Sequence, residues 1–439
     1  MRIVQITPGT GNFQCSACQR DHALVRALQD LGHEVTLVPL YLPFVTDEPG
    51  TAAAQPIFYG GINVYLQQKL ALFRRTPRWL DRLFDARALL RLSAKAAGMT
   101  KASDVGSITL SMLRGEEGEQ LKELERLLAW LKTQPQPDVV CLSNALLTGM
   151  ARRIKAALGV PVVCGLQGED YFLDDLAPPF NTQAWQTLRA RAADVDLFVA
   201  VSRYFGDRMI ERLQLAPERV VVVPNGLRRD GFTPAATPPH PPVLGFLAFQ
   251  SQLKGLAPLV SAFIELKRRN RVPGLKLRAA GIDSPAAAGF LRAERHRLAA
   301  AGLAADAEFL PELSRAQKQD FLRGVSVFSV PATSGEAFGV YLLEAMAAGL
   351  PLVQPRSGPF PELIESTGAG VLCAPDDPAA LADALEGLLL DPTRARALGL
   401  KGRQAVVERF GADRMAAAIT GHLQNVVDRW AAIRSPHPR

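Results

Sequence analysis

An alternation of short apolar strands with helices runs through this chain twice, and it limits the possible folds more than any other feature. Residues 2–7 form a β-rich run, residues 21–31 carry apolar side chains at helical spacing, and strand character returns over 34–40. Parallel neighbours in a sheet need a crossover connection, so the pattern predicts a parallel sheet covered by helices. Further apolar runs of strand length lie at 138–142, 160–164, 197–201 and 220–223.

A proline-rich segment, Arg228–Pro242, separates the two runs. Proline is excluded from helix interiors and central strands, so the segment predicts an extended connector between two domains. The predicted fold class is α/β, with two doubly wound Rossmann-like domains facing an interdomain cleft. The predicted bounds are 1–226 for the N-terminal domain, which carries a helical insert over 66–133, 227–242 for the linker, 243–412 for the C-terminal domain and 413–439 for a C-terminal helix.

Composition restricts the class of protein. Hydrophobic residues make up 48% and charged residues 21% of the 439 positions, which excludes general disorder. No run of about 20 apolar residues is present that would span a membrane, and the N-terminus lacks the pattern of a signal peptide. Five cysteines are too few for a disulfide scaffold in a chain of this length. We therefore predict a cytoplasmic protein.

The basic balance of the chain is mild. The net charge of +7 comes from 50 Lys and Arg against 43 Asp and Glu, and the arginines are spread along helical stretches. This does not require a nucleic acid, and no nucleic-acid partner is predicted. An anionic small molecule or the anionic inner face of a membrane suits the charge equally well. Trp79 and the arginines at 74, 75, 78 and 82 of the insert are candidates for peripheral membrane contact or for lining a pocket.

Residues 325–362 carry the most information about function. Val325–Val330 is predicted to be a buried strand, and Pro331–Gly335 is a loop of small residues that lets a ligand approach the backbone. A helix is predicted to begin at Gly339 and Val340. The first-turn amides of a helix have no partner within it and lie at the positive end of its dipole, so this is a candidate anion site.

Two carboxylates flank that helix start. Glu336 lies in the loop before it and Glu344 lies in its second turn, eight positions further on. A carboxylate accepts paired hydrogen bonds from vicinal hydroxyls. Phosphate-binding amides between two hydroxyl-binding carboxylates predict a site for a sugar nucleotide.

These motifs resemble the signature of retaining glycosyltransferases of family 4, which have the GT-B fold. The resemblance rests on the Glu336–Glu344 pair, the following AMAAGLPLV and the turn Gly358–Glu362. It extends to Lys254–Gly255 and to Pro224–Gly226, and more weakly to Gly9–Gly11 in the first domain. It implies that the first domain faces the acceptor, the second binds the nucleotide sugar, and the C-terminal helix crosses back to the first domain.

The resemblance also implies roles for individual residues. Glu336 would bind the hydroxyls of the donor sugar, Glu344 would bind the ribose, and Lys254 would neutralise the departing diphosphate. Glu336 and Lys254 are thus the expected catalytic residues, for transfer with retention that needs neither a metal nor a cofactor. The expected donor-binding set is Lys254, Glu336, Ala337, Phe338, Gly339, Val340 and Glu344.

The acceptor side is predicted from two loops of the first domain, and the acceptor is expected to be a carbohydrate or lipid-linked hydroxyl. The stretch 167–175 combines acids with aromatic residues, a common sugar-binding composition, although a solvated loop fits equally well. The glycine pair after the first strand is interpreted as a tight loop facing the acceptor or the donor phosphate. The predicted acceptor-side residues are Gly9, Gly11, Gln167, Glu169 and Asp170.

Departures from the family pattern leave alternatives open. Ala248 and Phe249 stand where the family has Gly-Arg, and Gln167 stands where it often has histidine. One alternative is therefore a catalytically weak or inactive GT-B protein that binds a sugar nucleotide or a partner. Another is a dehydrogenase that binds nicotinamide near Gly9. Cys15 and Cys18 are interpreted as small residues packed under the loop, with redox chemistry as the alternative and no metal site predicted.

Overall fold

The computed structural model describes residues 1–9, 16–41, 58–59, 64, 67–68, 102–282, 287–332 and 334–434. The chain divides into two compact units. The first comprises residues 1–226 together with the segment that begins at Ala412, and the second comprises Leu227–Gly411. Each unit has its own parallel sheet flanked by helices, which confirms the predicted α/β class with two doubly wound domains.

The described part of the first unit contains a six-stranded parallel sheet in the order β2-β1-β3-β4-β5-β6. Its strands are β1 (Arg2–Thr7), β2 (Glu34–Pro39), β3 (Val139–Leu142), β4 (Val162–Leu166), β5 (Leu197–Ala200) and β6 (Val220–Val222). Strands β3, β4 and β5 are buried at every position, because helices cover both faces of the sheet. The chain order reverses beside β1, so the loops after β1 and β3 diverge there.

Helices of the first unit cover this sheet. They are α1 (Ser16–Asp30), α2 (Ala102–Arg114), α3 (Leu121–Leu131), α4 (Ala151–Leu158), α5 (Glu169–Asp174), α6 (Phe180–Arg191), α7 (Arg203–Leu213) and, from the end of the chain, α15 (Ala412–Arg434). The last of these contributes Ile419 and Leu423 to the same buried cluster as Leu24 and Leu28 of α1. The Trp430 indole donates a hydrogen bond to the carbonyl of Gly159 at 2.9 Å.

The second unit repeats the architecture with the strand order β12-β11-β10-β7-β8-β9, which is that of a dinucleotide-binding Rossmann sheet. The strands are β7 (Val243–Leu247), β8 (Lys276–Ala280), β9 (Ala307–Leu310), β10 (Val327–Phe328), β11 (Leu352–Pro355) and β12 (Gly370–Cys373). The helices are α8 (Leu256–Arg269), α9 (Ala288–Ala300), α10 (Arg315–Arg323), α11 (Val340–Ala347), α12 (Phe360–Thr367), α13 (Pro378–Leu389) and α14 (Pro392–Arg409).

The proline-rich segment packs along the second unit. The Gln319 amide donates to the carbonyl of Asp230 at 2.9 Å, and Arg403 donates to the carbonyl of Phe232 at 2.9 Å. Phe232 is itself buried. The segment predicted as a linker therefore belongs to the second unit, because the carbonyls of Asp230 and Phe232 and the Phe232 side chain have partners there.

No helix within the described ranges is long and apolar enough to span a lipid bilayer. Of the predicted helical insert, α2 and α3 are described. Trp79 and the neighbouring arginines lie outside the described residues, so their predicted membrane contact stays a prediction.

Candidate functional site

The candidate donor site lies where the strand order of the second unit reverses. Strands β7 and β10 are neighbours there although the chain visits β8 and β9 between them. Ligands of open α/β sheets bind outside the carboxyl ends of strands at such a point. Lys254 follows β7 and Glu336 follows β10, so the topology brings the two predicted catalytic residues to one edge of the sheet.

A backbone contact fixes the loop that carries Lys254. Gly255 has a φ of +77°, and a Cβ atom built on it would lie 1.8 Å from the carbonyl oxygen of Pro331. Only glycine meets both conditions, because other residues avoid this φ and would collide with the carbonyl. The loop after β7 therefore rests directly on the loop after β10.

Gln250 is a structural residue of this loop that the sequence analysis did not identify. Its amide group is buried and donates to the carbonyls of Gly281 at 3.0 Å and Leu310 at 2.6 Å. These bonds tie the loop after β7 to the ends of β8 and β9. The sequence signal was weak, since it consists of one glutamine soon after an apolar strand.

Glu336 is the centre of the site. Its Oε2 atom accepts a hydrogen bond from Lys254 Nζ at 2.7 Å and another from Tyr341 Oη at 2.7 Å. Its Oε1 atom faces the amide of Phe338 at 3.4 Å. The side chain of Glu336 is 13% exposed and that of Lys254 is 25% exposed, so solvent still reaches both. Sequence reasoning found Lys254 and Glu336 but missed Tyr341.

The electrostatics favour an anionic glutamate beside a neutral phenol. Burial acts to raise the pKa of Glu336, but the charge and hydrogen bond of Lys254, with the bond from Tyr341, leave that pKa below its usual value. Burial and the adjacent carboxylate raise the pKa of Tyr341 well above its usual value. Tyr341 therefore remains a hydrogen-bond donor at neutral pH.

Helix α11 begins beside this pair. Gly339 is its N-cap residue, with a φ of 88°. The first-turn amides lie at the positive end of the helix dipole, so this helix start remains a candidate anion site. Phe338 and Ala337 are buried, and the Phe338 ring packs against Phe410 at a centroid distance of 6.3 Å. Only the backbone of these two residues is therefore suited to meet a ligand.

Glu344, the second predicted carboxylate, also has a lysine partner. Lys318 Nζ of α10 lies 3.5 Å from Glu344 Oε1, and the two side chains are 17% and 13% exposed. Lys318 was not predicted. Within each Lys–Glu pair the two charges neutralise each other. A polyanion would offer either ammonium group a stronger partner.

The position at which the family has an arginine is occupied here by an apolar residue, Phe249. The Ala248 amide donates to the carbonyl of Ala280 at 3.1 Å, and the Phe249 side chain is 38% exposed. Phe249 provides no cation for a phosphate. Lys254 is therefore the cation that this loop brings to Glu336.

The predicted acceptor-side residues of the first unit lie after β1 and β4. Gly9 has a φ of 89°, as a tight turn requires, and Gly11 lies outside the described residues. Gln167 Nε2 donates to the carbonyl of Ser143 at 2.6 Å. This bond links the carboxyl ends of β3 and β4.

The two acidic acceptor-side residues, Glu169 and Asp170, have hydrogen-bond partners within the protein. The Glu169 carboxylate is buried and accepts from the amides of Ala145 at 2.7 Å and Gln167 at 2.6 Å. Asp170 accepts a hydrogen bond from Arg208 Nε. Burial raises the pKa of Glu169 against the effect of these backbone bonds. Both carboxylates brace the loop, because the start of α5 turns them toward the protein.

The cysteine motif is described only in part. Cys15 lies outside the described residues, and Cys18 is a buried residue whose sulfur accepts from Thr7 Oγ1 at 3.7 Å. Within the described segments, no group of three or more His, Cys, Asp or Glu is arranged to hold a metal ion.

Two family profiles match the chain. The profile described as Glycosyl transferase 4-like domain matches residues 19–226, and that described as Glycosyl transferases group 1 matches residues 232–405. A D-inositol 3-phosphate glycosyltransferase from Xylanimonas cellulosilytica is 30% identical over 406 residues, which cover 85% of this chain and 92% of that protein. A protein of the same name from Streptomyces bingchenggensis is 27% identical over 254 residues, which cover 55% of either chain. The chain spans about half the length of several such curated relatives.

Solved structures share the fold. Sucrose-phosphate synthase from Thermosynechococcus elongatus superposes with a TM-score of 0.70 at 17% identity, over 98% of this chain and 100% of that one. Anabaena HepE in complex with UDP-glucose superposes with a TM-score of 0.67 at 15% identity, over 97% of this chain and 100% of that one. At these identities the likeness concerns the fold alone. Together with the profile matches and the Xylanimonas relative, it shows that the chain belongs to the group 1 glycosyltransferases, of the family 4 type with the GT-B fold.

Proposed function

We propose that this protein transfers a sugar from a nucleotide-diphosphate sugar to an acceptor hydroxyl, with retention at the anomeric carbon and without a metal ion. The observation that supports this most is the Lys254–Glu336 ion pair at 2.7 Å beside the start of α11. One site thus holds a cation, a helix end that attracts anions and a carboxylate that can accept hydrogen bonds from sugar hydroxyls.

Each group has a part in the proposed reaction. The bond between the anomeric carbon and the diphosphate oxygen breaks, and negative charge develops on the diphosphate. Lys254 and the backbone amides at Gly339 and Val340 stabilise that charge. Glu336 orients the sugar, and Glu344 accepts from the ribose hydroxyls. The acceptor oxygen then bonds to the anomeric carbon on the same face, and its proton passes to the departing phosphate oxygen.

The names of relatives guide the choice of substrates. Relatives include a protein named alpha-maltose-1-phosphate synthase and one named glycogen synthase, besides those named for D-inositol 3-phosphate. We propose a carbohydrate or lipid-linked hydroxyl as the acceptor. Gly9, Gly11 and Gln167 are proposed to lie beside it, with Glu169 and Asp170 bracing the loop that carries Gln167.

Turnover of labelled donors tests the proposal. The protein is incubated with radiolabelled UDP-, GDP- and ADP-sugars, with and without acceptors, and transfer or hydrolysis is measured. Glu336→Gln and Lys254→Ala are each expected to lower the rate about 100-fold, because each removes a charge-assisted contact. Lys401→Ala, at an exposed position of α14, serves as the control and keeps the rate. Near-normal rates in either site variant would contradict the assigned roles.

The exposed Phe249 favours a second candidate, a protein that binds sugar nucleotides without turning them over. Phe249 stands where the family has an arginine, so that cation is missing from this chain. In a dry site such a cation would stabilise a leaving phosphate by several kcal/mol. The same assay separates the two. Hydrolysis or transfer by the unmodified chain excludes the second candidate, and donor binding without turnover favours it.

A further inference from the structure

We infer that Tyr341 is a positioning residue that keeps Glu336 in place for the donor sugar when Lys254 turns to the diphosphate. The inference rests on the proposed function and adds to it a residue that the Glu-x7-Glu signature does not specify.

The geometry places two donors around one oxygen atom, Oε2 of Glu336. Tyr341 Oη and Lys254 Nζ each lie 2.7 Å from Glu336 Oε2. Lys254 Nζ also lies 5.9 Å from the centre of the Tyr341 ring. The phenol therefore duplicates the contact that the lysine makes, and it remains when the lysine leaves.

Donor binding creates the need for a second partner. A diphosphate carries more negative charge than one carboxylate, so it draws the ammonium group of Lys254 away from Glu336. Without Tyr341, the carboxylate would then retain, among its partners in the described part of the chain, only the Phe338 amide at 3.4 Å, a weak bond. A largely buried carboxylate without a partner takes up a proton or turns toward solvent. Either change removes the acceptor that the sugar hydroxyls need.

Tyr341 is suited to prevent this. It lies in the first turn of α11, so its backbone is fixed by the same helix that presents the phosphate-binding amides. Its hydroxyl donates to Oε2 of Glu336, while Oε1 of Glu336 faces the Phe338 amide. In the described part of the chain, Lys254 and Tyr341 are the charged or titratable groups that act on Glu336.

The test compares Tyr341→Phe with Lys401→Ala, the control at an exposed position of α14. Loss of a hydrogen bond to a charged group predicts that Tyr341→Phe lowers kcat/KM about tenfold. The acid limb of its kcat/KM profile should move to higher pH, because the phenol no longer favours the ionised carboxylate. Binding of the nucleoside diphosphate alone should stay within about twofold, since the sugar is absent. Lys401→Ala should match the unmodified chain in every measurement.

A ligand-free measurement separates this inference from the proposed function. Thermal unfolding between about pH 3 and 7 reports the contact itself. The phenol helps to lower the folded-state pKa of Glu336, so in Tyr341→Phe the acid loss of stability should be smaller and should end at a higher pH. If the unfolding profile moves while kcat/KM and its acid limb do not, the positioning role is overturned and the proposed function stands. If nucleoside diphosphate binding fell as much as kcat/KM, the positioning role would also be overturned, because a general disturbance of the site would then explain the lower rate. No turnover by the unmodified chain with any donor would refute both.

Discussion

At the scale of single residues, the site depends on a contact between side chains 82 positions apart in sequence, Lys254 and Glu336. The Glu-x7-Glu spacing identified both glutamates, and the Lys-Gly pair identified the lysine. The sequence pattern did not identify Tyr341, Lys318 and Gln250, because their hydrogen bonds form only in the folded chain. For a tyrosine in an apolar helix, the local sequence does not show whether its hydroxyl bonds to Glu336 or its ring packs in the core.

The lowered pKa of Glu336 predicts how stability depends on pH. A carboxylate whose folded-state pKa lies below its unfolded value stabilises the protein above the unfolded value, and this contribution is lost as pH falls through the folded pKa. The unmodified chain should therefore unfold at a higher temperature than Glu336→Gln near pH 6, and the difference should shrink below about pH 4. Thermal unfolding across this range measures it. A difference that stays constant with pH would show that the ion pair is not its source.

At the scale of elements, the alternation of strands and helices predicted the parallel, helix-covered sheet of the second unit. The predicted strand Val325–Val330 is shorter, at Val327–Phe328, because the chain turns where the Ala332 amide bonds to the Val330 carbonyl. Helix α14 was not predicted. Its Gly399 packs against the backbone of Gly349, a close approach that a helical pattern cannot reveal.

The loop contact at Gly255 gives a prediction at this scale. Gly255→Ala should move the loop and separate Lys254 from Glu336, because the new Cβ would lie 1.8 Å from the Pro331 carbonyl oxygen. Gly302→Ala is a matched control, since Gly302 has a similar φ of +73° and a Cβ added there would meet no atom within 4 Å. Backbone strain should cost each variant about 1 kcal/mol in unfolding free energy, and Gly255→Ala should lose more because its Cβ also collides with the Pro331 carbonyl.

Only Gly255→Ala should also lose donor turnover, by more than about tenfold, because turnover depends on where Lys254 stands. Turnover and denaturant unfolding of the two variants are measured side by side. Equal turnover in both would mean that the contact between the two loops does not position the lysine.

At the scale of the whole molecule, the chain completes the core of its first unit with its last helix. The resemblance predicted a returning helix, and α15 (Ala412–Arg434) is grouped with residues 1–226. Its buried face packs on α1, and the Thr420 hydroxyl lies 3.2 Å from His33 Nε2. The apolar periodicity predicted a helix here, but only the tertiary packing shows that this helix covers α1.

Truncation of one leucine tests this arrangement. Leu423→Ala should lower the unfolding free energy by about 2–5 kcal/mol, because Leu423 is fully buried in the core of the first unit. Leu400→Ala, on α14 with a side chain 49% exposed, should change it by less than about 0.5 kcal/mol. Urea unfolding of both variants provides the values. A cost at Leu423 no larger than that at Leu400 would contradict its place in the core.

The central claim is that Lys254 and Glu336, at the start of α11, bind a nucleotide-diphosphate sugar. Its most direct test is titration calorimetry with UDP-, GDP- and ADP-sugars on the unmodified chain and on Lys254→Ala, Glu336→Gln and Lys401→Ala. We predict that at least one nucleotide sugar binds, that each site variant weakens its affinity about tenfold or more, and that Lys401→Ala does not. Absence of binding by every nucleotide sugar, or equal affinity in all four proteins, would contradict the account.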